Sequence, residues 1–223
     1  MCTPTPRDDT STVELIPTTA QLEDATRAAT ELHPAKSVAW EGFLTALSPL
    51  AAHNAETYAH SLRVGLYASA LARQEGLDDL MALYGGCGHD LGKVAVANEI
   101  LRATDFGPAE RVALRDHPRV GYEMLRDRFF FAALIAGLHH TFQPDPYGID
   151  LSNPEIPPLY AGLKETLLSV AQLVAECDFY DALTTRPRRD ATPFAVTLAE
   201  HINYGPRREW LISHNIATHG IPQ

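Results

Sequence analysis

The sequence predicts an all-α bundle. Three observations carry that reading. Apolar residues recur at helical spacing along several segments, and no segment sustains the period-two alternation of a half-buried strand. Helix-starting and helix-stopping residues also punctuate the apolar stretches.

Residues 1–17 are rich in Thr, Pro and Asp and read as a flexible tail. Thr18 or Thr19 is placed to cap a helix running to about Leu32, where His33-Pro34 ends it. A second helix is expected over residues 37–47, stopped by Ser48-Pro49. The third is long. Asn54 suits its N-cap and Gly76 its stop, with Tyr58, Leu62, Leu66, Ala70 and Leu71 on one stripe between them. A short helix over residues 78–84 leads into the segment GGCGHDLGKVAV. Residues 108–128 start on Pro108, a good first helical residue, break at His117-Pro118 and resume with GYEML. Residues 129–140 form an apolar helix, and a Pro-rich loop covers 143–158. A long helix follows over 159–183, and the remainder reads as two shorter ones. The chain then divides into a tail (1–17), an N-terminal helical extension (18–50) and a main domain (51–223), with no repeat at a fixed period.

Composition narrows the classes. A chain of 223 residues that is 45% hydrophobic fills one core, and 21% charged residues is too ordinary for disorder. The net charge of −10 repels nucleic-acid backbones and anionic lipid, so extended binding to either is not expected. Cys2, Cys87 and Cys177 are widely spaced and make neither a disulfide framework nor a zinc ribbon, which suits a reducing compartment. The N-terminus is polar, and the longest apolar run (129–138) falls short of the roughly 20 residues a membrane span needs. The expectation is a soluble cytoplasmic protein with a small-molecule substrate; a homodimer is compatible with the sequence.

Glu56 and His60 lie four apart on the long helix and share a face. His89-Asp90, Lys93, His117, the pair His139-His140 and Asp178 follow along the chain. Imidazole and carboxylate together suit iron, manganese, zinc or similar divalent ions, and the lack of thiolates argues against a structural zinc site. A lone histidine is usually a surface or core residue. Four histidine segments in helical contexts, joined by carboxylates and a lysine, point to a metal centre. Cys87 reads as a small buried thiol, and Phe129, Phe130 and Phe131 as core. His33, His53, His201, His214 and His219 fit no motif.

The stretches ETYAHSLRV, GHDLGKVAV, DHPRVGYEML, LHH and ECDFYDALTTRPRRDA resemble the HD superfamily of metal-dependent phosphohydrolases, and most of all its HD-GYP subgroup, which includes hydrolases of cyclic di-nucleotides. The resemblance covers about residues 54–200. It implies one HD-domain helical bundle holding two or three divalent ions, iron or manganese first, with zinc, nickel and cobalt also accepted. His60, His89, Asp90 and Asp178 would ligate, with Asp90 bridging two ions. His117, His139 and His140 would complete the second ion, and Glu56 would help hold a third. Asp90 and Lys93 would be catalytic, and Lys93 and Arg186 would contact the substrate phosphate. Departures fall on the substrate side. Thr141 stands where the family has Glu, and QPDPYGID, with Pro146-Tyr147-Gly148, replaces the Gly-Tyr-Pro loop. Arg188 and Asp190 replace an aromatic and a lysine. Hydrolysis of a phosphoester or nucleotide is the leading reading. A di-iron oxygenase acting on a small polar substrate, and a metal-binding regulatory module, are the alternatives.

Overall fold

Thr18 opens the first helix by a reciprocal cap. Its hydroxyl accepts the Gln21 N–H at 3.3 Å, and the Gln21 side chain accepts the Thr18 N–H at 2.9 Å. Helix α1 (Thr19–Glu31) follows. The computed structural model of the chain describes residues 17–31, 37–103, 107–154, 156–159, 161–185 and 193–215. The expected tail, up to residue 16, and Arg186 lie outside them.

Helix α2 (Ser37–His53) runs straight through Pro49, past the stop expected at Leu47. Proline has no N–H for the Thr45 carbonyl, but the Ser48 hydroxyl donates to that carbonyl at 2.8 Å instead. Leu47 and Leu50 are fully buried on either side, and their packing offsets the proline.

Helix α3 (Ala55–Glu75) has the expected ends. The Asn54 side chain accepts the Thr57 N–H at 2.8 Å, and Gly76 turns the chain at φ 71°, a conformation glycine adopts without strain. Of the expected stripe, Tyr58, Leu62, Leu66 and Leu71 are buried, and Ala70 is partly exposed. Burial also reaches the opposite side, where His60, Val64 and Tyr67 are enclosed. Helix α3 is thus surrounded by its neighbours rather than lying on the surface.

Helix α4 (Asp79–Gly88), capped by Asp78, continues through Gly85, Gly86, Cys87 and Gly88, where the sequence suggested a stop at Tyr84. The glycines serve close approach, not a turn. A Cβ on Gly86 would sit 2.6 Å from the Gly65 Cα of α3, and a Cβ on Gly65 would sit 2.2 Å from the Cys87 sulfur. The contact offsets the entropic cost of glycine in a helix. Because Gly86 meets backbone, Gly86→Ala is expected to cost about 1–3 kcal/mol by overpacking. Urea unfolding would show a lower midpoint at unchanged slope; an unchanged midpoint would mean the two helices separate freely.

A 3₁₀ turn (Leu91–Ala95) leads to α5 (Asn98–Leu101), α6 (Pro108–Leu114) and α7 (His117–Leu125), the last two broken at His117 as expected. Then come α8 (Phe130–Leu138), α9 (Ala161–Thr185), α10 (Phe194–His201) and α11 (Gly205–Ser213). No strand occurs among the described residues, so the all-α reading holds. Leu22 of α1 and Trp40, Phe43, Leu47 and Leu50 of α2 are continuous with the core of α3, α4, α8 and α9. The Tyr58 hydroxyl donates to Glu23 at 2.8 Å, tying α1 to α3. Phe129 and Phe130 pack on this core, but Phe131, one helical step further round, is 41% exposed, which corrects its core assignment. Arg207 anchors α11, reaching Glu75 twice at 2.6 Å and Glu176 at 2.9 Å. No helix among the described residues is long and apolar enough to cross a membrane.

Candidate metal centre

The last four carbonyls of an α-helix have no partner within it. At three helix ends a histidine ring supplies one. His89, after α4, donates from Nδ1 to Gly86 O at 2.7 Å. His139, after α8, donates from Nδ1 to Ala136 O at 2.7 Å. His117, after α6, donates from Nδ1 to Leu114 O at 2.6 Å. A carbonyl only accepts, so each Nδ1 carries a hydrogen and Nε2 is the atom each ring turns inward. The carboxyl ends of α4 and α8 also point at the cluster, and their dipoles favour a cation there.

His60, on α3, is oriented differently. Its Nδ1 meets Asp181 Oδ2 at 2.7 Å, and Arg63 holds both oxygens of that carboxylate at 2.7 and 2.8 Å. Its Nε2 faces Asp178 Oδ1 at 3.0 Å. Asp90 lies between the rings. Its Oδ2 is 3.4 Å from His89 Nε2 and 3.7 Å from His60 Nε2, and its Oδ1 is 3.3 Å from His117 Nε2. His117 and His139 bring their Nε2 atoms within 3.3 Å of each other. Two inward lone pairs at that separation repel unless a cation or proton lies between them.

These side chains form three overlapping groups whose ligand atoms lie within 4.8 Å of one another: His60, His89 and Asp90; His89, His139 and Asp178; and His117, His139 and His140. Seven of the eight sequence-predicted ligands are therefore together. Glu56 is not among them: it is exposed, one turn before His60. Lys93 Nζ sits 2.5 Å from Asp90 Oδ2. Arg63, Asp181, Gln143 and Tyr147 surround the centre without having been picked out as site residues. Arg63 and Asp181 carried a weak signal, each three positions after a ligand and so on the same helix face.

The donor set fits divalent cations. It offers nitrogen and oxygen ligands only, and His89 Nε2 and Asp90 Oδ1 are buried without a hydrogen-bond partner. Burial, with Lys93 and His140 nearby, lowers the His117 pKa to about 3. Burial likewise lowers His140 to about 4 and holds His139 well below the usual range, so all three rings are neutral. His89 goes the other way. Burial alone would lower its pKa, but the carboxylates of Asp90 and Asp178 outweigh burial and raise it. A cation ligated by His89 must displace that proton, so metal binding is expected to release protons and tighten as pH rises from about 6 to 8. Calorimetric titration in buffers of different ionisation enthalpy checks this; a buffer-independent heat would refute it.

A family model described as the HD domain matches residues 57–183. No curated protein matches the chain significantly.

Proposed function

The chain belongs to the HD-domain family, and from that premise we propose that it is a metal-dependent phosphohydrolase acting on a small phosphoester, with nucleotides and cyclic di-nucleotides as the classes to test first. The observation that carries this reading is Asp90. One of its oxygens faces His60 and His89 and the other faces His117, which is the arrangement of a carboxylate shared by two ions. Bound divalent ions of this kind supply Lewis-acid activation of water and neutralise phosphoryl charge. His60, His89 and Asp178 would hold one ion, and His117, His139 and His140 the other, with Asp90 common to both. Lys93 is half-buried beside Asp90 and within reach of a phosphate oxygen brought to the centre. Arg186 remains the second proposed phosphate contact. Iron and manganese are the first candidates for the ions.

The test is hydrolysis of bis(p-nitrophenyl) phosphate and a nucleotide panel by protein loaded with manganese or ferrous iron. Turnover that a chelator removes and the metal restores supports the proposal. Oxygen uptake without phosphate release would replace hydrolysis by oxygenation. Metal uptake with neither would leave a binding module.

A further inference from the structure

Four of the five clustered histidines are oriented by the helical framework: His89, His117 and His139 by carbonyls at helix ends, His60 by Asp181 and Arg63. His140 has neither kind of support. It is held by the loop that follows it. The Gln143 side-chain amide meets its Nδ1 at 2.6 Å. The amide nitrogen is the atom at Nδ1, and a rotation of the amide that brings its oxygen there lets it accept the Nδ1 hydrogen of a ring that ligates through Nε2. The Tyr147 ring stacks on the imidazole, with centroids 4.4 Å apart and planes 20° from parallel. His140 is also the least enclosed of the five, at 9% exposure against 0–2% for the others.

The loop is itself pinned. Ile149 N–H donates to Gly137 O at 2.9 Å, and the Tyr147 N–H reaches His140 O at 3.4 Å. Gly148 has φ 126°, and a Cβ there would lie 2.2 Å from Gly137 O, so this position admits only glycine. On the outer side the Arg115 guanidinium pairs with Asp145 and lies 4.9 Å from the Tyr147 ring centre.

We propose that residues 141–150 form a clamp on His140, with Gln143 and Tyr147 as positioning residues, the Tyr147 ring also meeting that of His117 in the same ligand group, so that this loop sets the affinity of one ion while leaving the other untouched. The inference rests on the metal reading above. His140 belongs only to the group with His117 and His139, so loosening it weakens that ion. The set of His60, His89, Asp90 and Asp178 keeps its own supports.

Manganese titration of chelator-treated protein tests this by calorimetry, with cobalt absorption reporting the ligand geometry. Wild type is expected to bind a tighter and a weaker ion. Tyr147→Ala should leave the tighter ion unchanged and weaken the other by about 10–100-fold, the usual effect of removing an outer support of a ligand. Tyr147→Phe keeps the stacked ring and should bind as wild type. Gln143→Ala, at an exposed position that endangers folding least, should repeat the selective loss. Wild-type affinity for both ions in Tyr147→Ala and Gln143→Ala, or equal loss of both ions, would overturn the clamp. A wild-type protein that takes up no metal would overturn the metal reading itself, a separate and recognisable failure.

Discussion

Asp90→Ala should strip the centre of its ions and lower hydrolysis by at least about three orders of magnitude, the equivalent of roughly 4 kcal/mol of lost charge stabilisation. Asp90 is fully buried, and its two oxygens face histidines of both ligand sets. Asp178 faces His60 and His89 through Oδ1 at 3.0 and 3.7 Å and also groups with His139, whereas Asp90 turns one oxygen to each set. Losing Asp90 therefore affects both ions, whereas losing His140 affects one. It also leaves Lys93 without its carboxylate partner and Asp178 as the remaining carboxylate of the ligand set to draw a cation in. Elemental analysis and the hydrolase assay should fall together. Full activity in a metal-depleted Asp90→Ala protein would sink the mechanism, and metal retained at wild-type stoichiometry would sink the bridging role.

How far the sequence led follows from which interactions are local. The ends of α3 could be read because Asn54 and Gly76 act on residues within one turn. Four of the five histidines could be read because they stand where a helix pattern breaks, at Gly88-His89, at His117-Pro118 and after Leu138, while His60 lies inside α3. What stayed hidden depends on three-dimensional compensation. Pro49 looked like a stop because the Ser48 hydroxyl that replaces its missing donor acts only once the helix exists. The glycines of α4 looked like a loop because their partner, Gly65, lies on another helix. Glu56 carried correct helical spacing, yet it is exposed, since it lies a turn nearer the start of α3 than His60 and the spacing fixes the side of the helix, not the depth along it. Arg63 and Asp181 meet across 118 residues of chain, and no local pattern reports that pairing.

That pair gives the largest expected effect on stability. Arg63→Ala leaves the Asp181 carboxylate fully buried with His60 as its remaining hydrogen-bond partner, which should cost about 3–5 kcal/mol. Burial alone would raise the Asp181 pKa; the hydrogen bonds from His60 and Arg63 outweigh burial and hold it below the ordinary 3.8. A depressed folded-state pKa stabilises the protein above the unfolded value, and that contribution is lost as pH falls through the folded value. Wild-type stability should therefore decline on acidification below about pH 4, while Arg63→Ala, having lost most of this contribution, should start lower and decline less. Urea unfolding between pH 3 and 7 measures both. Metal affinity should fall by about 10–100-fold in the same variant, because Asp181 no longer fixes the ring of His60. A double variant, Arg63→Met with Asp181→Leu, separates the two roles. Replacing a buried ion pair by apolar side chains of similar volume restores much of the stability, but it leaves His60 Nδ1 without an acceptor, so metal binding should stay weak. Recovery of metal affinity along with stability would show that Asp181 supports His60 by packing and not by its charge.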